Sequence, residues 1–111
     1  SRPGVPTSVP VQIAFDAYES MGYSGEAVKH HQGGAMGYHA RDTIATRTSK
    51  DLILENQAFC WNPSIAGTKS EDGFIVTAEG PLFITSPVIF PVLDLEIDGV
   101  CFRRPDVFII D

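Results

Sequence analysis

Phe74-Ile75-Val76-Thr77-Ala78-Glu79-Gly80-Pro81-Leu82-Phe83-Ile84-Thr85 is the stretch on which the fold turns. Two four-residue runs rich in β-branched and aromatic side chains flank Ala78-Glu79-Gly80-Pro81, which predicts two antiparallel strands and their connecting turn. The pattern recurs downstream. Leu93 to Ile97 and Val100 to Arg103 flank Asp98-Gly99, a dipeptide suited to the positive φ angles of a tight hairpin turn. A last short strand is predicted over Val107 to Ile110.

Upstream, residues 52 to 61 read as a strand that stops before Asn62-Pro63, because proline disfavours helix at the residue before it. Gly33, Gly34 and Gly37 break any helical period in the segment His30 to Asp42, leaving strand edges and loop. Only near the start does a helical period appear. Val11, Ala14, Phe15, Tyr18 and Met21 recur at intervals of three and four, giving one inward face, with Ser8 as the N-cap and Gly22 as the stop. Together these elements predict an α+β domain: a curved, mostly antiparallel sheet covered by one main helix.

The chain has 111 residues, 43% of them apolar, enough for one compact domain spanning residues 1 to 111. Eight Lys and Arg against fourteen Asp and Glu give a net charge of -6, which repels phosphate backbones and anionic membrane surfaces. The longest basic run, Arg103-Arg104, is too short to reverse that. No nucleic-acid or membrane partner is therefore expected. No apolar run approaches the roughly 18 to 20 residues of a membrane-spanning helix, and a cytoplasmic location is the expectation. Cys60 and Cys101 sit in apolar stretches without CxxC spacing and are expected to be reduced core residues.

All three histidines, His30, His31 and His39, fall within the glycine-rich segment. Imidazole is the commonest neutral metal ligand, but a catalytic metal also needs anionic donors, for which Asp42, Glu55, Glu71 and Asp72 are candidates. Spacing does not choose among them. The two-histidine zinc-peptidase helix motif, the phosphate-binding Gly-Lys-Ser/Thr loop and the Gly-x-Ser-x-Gly elbow are all missing. The residues alone leave open a metal or substrate site and a purely structural histidine pair at strand ends.

Three ordered motifs carry a resemblance: His30-His31-Gln32-Gly33-Gly34-Ala35-Met36-Gly37-Tyr38, then Asn56-Gln57-Ala58-Phe59-Cys60-Trp61-Asn62-Pro63-Ser64, then Gly67-Thr68-Lys69-Ser70-Glu71-Asp72. Over nearly its whole length the chain resembles the C-terminal half of a pita-bread metallopeptidase domain, the family of aminopeptidase P, prolidase, creatinase and methionine aminopeptidase. Arg2-Pro3-Gly4 is similar to the Pro-Gly turn before a helix in those domains. The resemblance implies a two-metal site (Mn, Co or Zn) and hydrolysis at peptide N-termini, in the manner of an Xaa-Pro aminopeptidase or dipeptidase. His31 and Glu71 match family metal ligands by motif position, and Asn62 stands at a third, where the family has glutamate. Glu71, Tyr38 and His39 are the candidate catalytic residues, Tyr38 standing where many members place a substrate-contacting histidine.

The departures shape the expectation. Asn62-Pro63-Ser64 replaces Glu-Pro-Gly, so an uncharged amide replaces a carboxylate that would bind a cation more strongly. The family's two aspartate ligands belong to an upstream half-domain. The chain is thus expected to bind metal weakly or not at all and to be inactive alone, with its missing N-terminal half, a peptide or amino-acid-like ligand, and a second copy of itself as partners. The alternative from a different class is a non-catalytic pseudo-peptidase module that binds a peptide or amino-acid-like ligand. Tyr38 and Trp61 are open to two readings, as a substrate wall or as ordinary core aromatics, and His30 is read as a structural residue.

Overall fold

A computed structural model describes residues 1–111. The chain is α+β, with one helix followed by nine strands, all of whose pairings are antiparallel. In chain order these are α1 (Ser8–Ser20), β1 (Gly33–Met36), β2 (Thr43–Ile44), β3 (Ala58–Trp61), β4 (Ser64–Ile65), β5 (Thr68–Lys69), β6 (Asp72–Thr77), β7 (Gly80–Phe83), β8 (Val92–Ile97) and β9 (Val100–Pro105). Five strands form the main sheet in the order β2-β1-β3-β6-β7, while β4-β5 and β8-β9 are separate two-stranded ribbons. No helix is long and apolar enough to cross a membrane.

The core lies on the middle strands of the main sheet. Phe59, Phe74 and Val76 alternate inward from β3 and β6, and Ala35 of β1 and Ile53 of the preceding loop close the cluster. Phe59 stacks near Phe74 with ring centroids 6.3 Å apart, and Phe74 meets Phe83 at 6.0 Å. Fully burying side chains of this size stabilises by roughly 1.5 to 3 kcal/mol each. The remaining surface is less well covered. Only 16 of 111 residues are buried, and Val88, Ile89, Val107 and Ile110 stand in solvent.

Gly33 of β1 is required by both conformation and space. Its φ is 134°, a region that favours glycine, and a Cβ there would collide with the Cys60 carbonyl oxygen on β3. The glycine thus lets two strand backbones approach at the point where β1 enters the sheet.

The N-cap of helix α1 lies one residue before the expected Ser8. Thr7 occupies that position without a side-chain capping bond, and Ser8 is already helical. Thr7 is instead held by its amide, which donates to the Asp51 carbonyl at 2.8 Å. Val11 and Tyr18 are buried as the period requires, but Met21, past the last helical turn, is 73% exposed. Of residues 52 to 61 only Ala58–Trp61 pair as a strand, because Asn56 adopts φ 63° and the chain turns there. At Asp98-Gly99 both φ values are positive, at 52° and 75°, as the hairpin turn demands. Val107 to Ile110 finds no pairing partner and is not a strand. Cys60 is buried and free, whereas Cys101 is free but exposed, since β8-β9 has no second layer over that face.

The β8-β9 ribbon meets the main sheet through a small set of contacts around β7. Phe102 approaches Phe83 edge-on at 6.2 Å, and the Arg104 guanidinium lies 4.2 Å over the Phe83 ring. Arg104 also pairs with Asp72 at the start of β6.

Candidate functional site

Strand register gathers three of the sequence-selected residues. Gly33 pairs with Trp61, and Trp61 pairs with Asp72, so β1, β3 and β6 are aligned at one end of the sheet. His31 lies two residues before Gly33, Asn62 directly after Trp61, and Glu71 directly before Asp72. The three therefore converge at one end of three adjacent strands.

Asn62 is buried and forms the junction. Its backbone amide donates to the Gln32 carbonyl at 2.9 Å, and its Nδ2 donates to the His31 carbonyl at 3.1 Å. Its Oδ1 accepts from Arg41 Nη2 at 3.3 Å. The same Nη2 donates to Glu71 Oε1 at 3.2 Å, so one guanidinium nitrogen bridges the two residues. Arg41 has a side chain only 16% exposed, and its Nε is buried without a partner.

Glu71 is surrounded by donors. Lys69 Nζ lies 2.7 Å from Oε2, and the Cys60 thiol donates to Oε1 at 3.3 Å. The Lys69 hydrogen bond first, then those of Cys60 and Arg41, hold the Glu71 carboxyl down at about 2 against the opposing effect of burial. Cys60 moves the other way: burial first, and the Glu71 carboxylate beside it second, push its thiol pKa up. Cys60 is thus a thiol that donates to a carboxylate, an environment unlike that of an activated nucleophile.

The other selected residues take different places. The His31 side chain is exposed and its imidazole makes no hydrogen bond within the chain; it contributes its carbonyl to the junction. Tyr38 and His39 lie on the turn between β1 and β2, with their rings edge to face at 5.3 Å. Tyr38 is 98% exposed, which excludes it from the core, and His39 Nδ1 lies 3.3 Å from Asp42 Oδ1. Neither side chain bonds to Asn62 or Glu71, although Arg41, three residues after Tyr38, does. Trp61 is half-buried against Phe59, and its Nε1 donates to Ser1 Oγ at 3.0 Å.

His30 packs into a second polar cluster. Its Nε2 lies 3.0 Å from Ser64 Oγ and 3.4 Å from Gln32 Nε2. Because Gln32 Nε2 also donates to the Ala27 carbonyl at 2.9 Å, its orientation is fixed as a donor. His30 Nε2 accordingly acts as the acceptor, tying β4 to the segment before β1.

A cleft of about 1120 Å³ opens beside this end of the sheet. Its lining includes Tyr18, Tyr23, Lys69, Glu71, Phe90 and Phe108. A smaller hollow of about 670 Å³ between β7 and β9 contains none of the selected residues.

As arranged, this donor set does not fit a pair of divalent cations. Glu71 spends both oxygens on Lys69, Arg41 and Cys60, and the one oxygen of the Asn62 amide accepts from Arg41. No three side chains of His, Cys, Asp and Glu come together in a metal-holding group. Sequence reasoning missed Arg41: an isolated arginine in a loop has no periodic signature, and only its position just before Asp42 set it beside a candidate. No protein-family model matches the chain, and no curated protein matches it.

Proposed function

We propose that this chain is the C-terminal half of a pita-bread domain of the Xaa-Pro peptidase type, serving to bind a peptide or amino-acid-like ligand rather than to hydrolyse it. The observation that supports this is the convergence of His31, Asn62 and Glu71 at the end of β1, β3 and β6, with Glu71 lining the adjoining cleft. The motif resemblance implied such a convergence for these three residues. A cleft lined by aromatic side chains together with charged groups suits a small ligand whose orientation is fixed by charge.

In this function the parent family's metal-dependent hydrolysis is ancestral, and the aspartates of the complete site would come from a partner half-domain. Within this chain, Glu71 is already engaged by Lys69, Arg41 and Cys60, whereas the Lys69 ammonium, 51% exposed, has further donors with which to meet a ligand carboxylate. Tyr23, Phe90 and Phe108 offer apolar area to the ligand's side chain.

Titration of ¹⁵N-labelled protein with an Xaa-Pro dipeptide, monitored by amide chemical shifts, tests this. Saturable shifts around Tyr18, Lys69 and Glu71, with no proline released in the presence of Mn, Co or Zn, are the expected result. Release of proline by the chain would return it to the hydrolases, and absence of any shift in the cleft would remove the ligand-binding assignment.

A further inference from the structure

We infer that Arg41 is a permanent, chain-borne cation of the Asn62–Glu71 site, one that neutralises the cluster internally and leaves it closed to divalent metal. The inference deepens the proposed function and rests on it only for the site's ancestry; the geometry of Arg41 stands by itself. Its guanidinium reaches Asn62 Oδ1 at 3.3 Å and Glu71 Oε1 at 3.2 Å from the same nitrogen, while Nη1 is held by the Ala40 carbonyl at 2.7 Å. A side chain tethered at both of its terminal nitrogens and mostly removed from solvent is a fixed charge, not a surface arginine sampling rotamers.

The residue types around it agree with one positive charge in place of several. A divalent cation is best balanced by carboxylates, whereas a guanidinium carries a single charge, which one carboxylate balances while a neutral carbonyl oxygen takes a further donor. Glu71 and Asn62 are that pair. An amide at position 62 also brings two donors, and one of them is used: Nδ2 binds the His31 carbonyl, a bond no carboxylate could make. Asn62 is therefore fitted to Arg41 on one side and to the backbone just before β1 on the other. A metal ion entering here would meet the guanidinium and the Lys69 ammonium as like charges and would have to displace both from Glu71.

Two measurements decide the matter. The first is calorimetric titration with MnCl₂ and ZnCl₂ of the wild-type chain, Asn62→Glu, and the double variant Arg41→Met/Asn62→Glu, each checked by circular dichroism. The wild type should give no saturable heat. Asn62→Glu should gain little, because Arg41 pairs with the new carboxylate, while the double variant should bind at least about tenfold more tightly than Asn62→Glu, the like charge being gone. Equal affinity of the two variants, or tight metal binding by the wild type, would overturn the inference.

The second needs no folded double variant. In ¹⁵N-arginine-labelled wild-type protein the Arg41 guanidinium protons should exchange and rotate more slowly than those of exposed Arg103, and Glu71→Gln should narrow the difference, the Ala40 and Asn62 bonds remaining. An Arg41 signal as mobile as that of Arg103 would be decisive against it. Failure of dipeptide binding would leave both measurements unchanged, so the two proposals fail separately.

Discussion

Tyr18 Oη donates to the Ser64 carbonyl at 2.8 Å and accepts from the Ser64 amide at 2.7 Å, so one phenol satisfies both backbone groups of the residue at which β4 begins. The helix is thereby joined to the corner that follows Asn62. Tyr18→Phe keeps the ring but orphans a donor and an acceptor in a partly buried position. It should lower stability by about 1 to 3 kcal/mol in urea denaturation, with little change of m-value. A loss indistinguishable from zero would mean that water replaces the phenol there.

Acid should weaken the fold through Glu71. Its carboxyl titrates at about 2 in the folded chain against 4.5 for an unperturbed glutamate, so below about 4.5 the unfolded state takes up the proton first. The stabilisation is fully present above that value and is lost as pH falls toward about 2. Because the side chain is 44% exposed, solvent damps the effect. Denaturation midpoints measured from pH 6 down to pH 2.5 should fall less steeply for Glu71→Gln than for the wild type; parallel curves would assign the acid sensitivity to other carboxylates.

The two thiols should separate kinetically. Cys101 is exposed on β9, whereas Cys60 is buried with a raised pKa. At pH 8 a disulfide reagent should modify one thiol per chain rapidly, and the second only at the rate of opening of the β3 region. Cys101→Ala should abolish the fast phase. Two equally fast thiols would show that β3 is not protected.

Uncovered apolar surface around Val88, Ile89, Phe90, Val107 and Ile110 should drive self-association. Sedimentation coefficients should rise with concentration across the micromolar range. A monomer at every concentration would show that these side chains are tolerated in water singly.

The hairpins were legible because turn chemistry is local: Asp98-Gly99 and the two runs around Ala78-Glu79 announce pairing without help from the rest of the chain. Residues 52 to 57 were not, since their apolar character serves Ile53, a single fully buried side chain on a loop, and periodicity cannot distinguish that from a strand. Val107 to Ile110 failed for the converse reason: strand propensity needs a neighbouring edge, and none is offered there. In the candidate site, the strand end before Asn62 was legible from the proline that follows it, whereas Arg41 depends on a tertiary contact across 30 residues to Glu71, which no spacing encodes.

The attachment of β8-β9 through Phe83 and Arg104 has a mechanical consequence. Arg104, Pro105 and Phe108 line the cleft together with Ala14 and Tyr18 of α1, Lys69 of β5, and Glu71 at the end of the central sheet. Beyond these ring contacts and the Arg104–Asp72 ion pair, no strand pairing ties the C-terminal ribbon to the main sheet, so tilting it breaks fewer bonds than deforming the five hydrogen-bonded strands. The width of the cleft is accordingly set by the angle of one ribbon, like the jaw of an adjustable wrench.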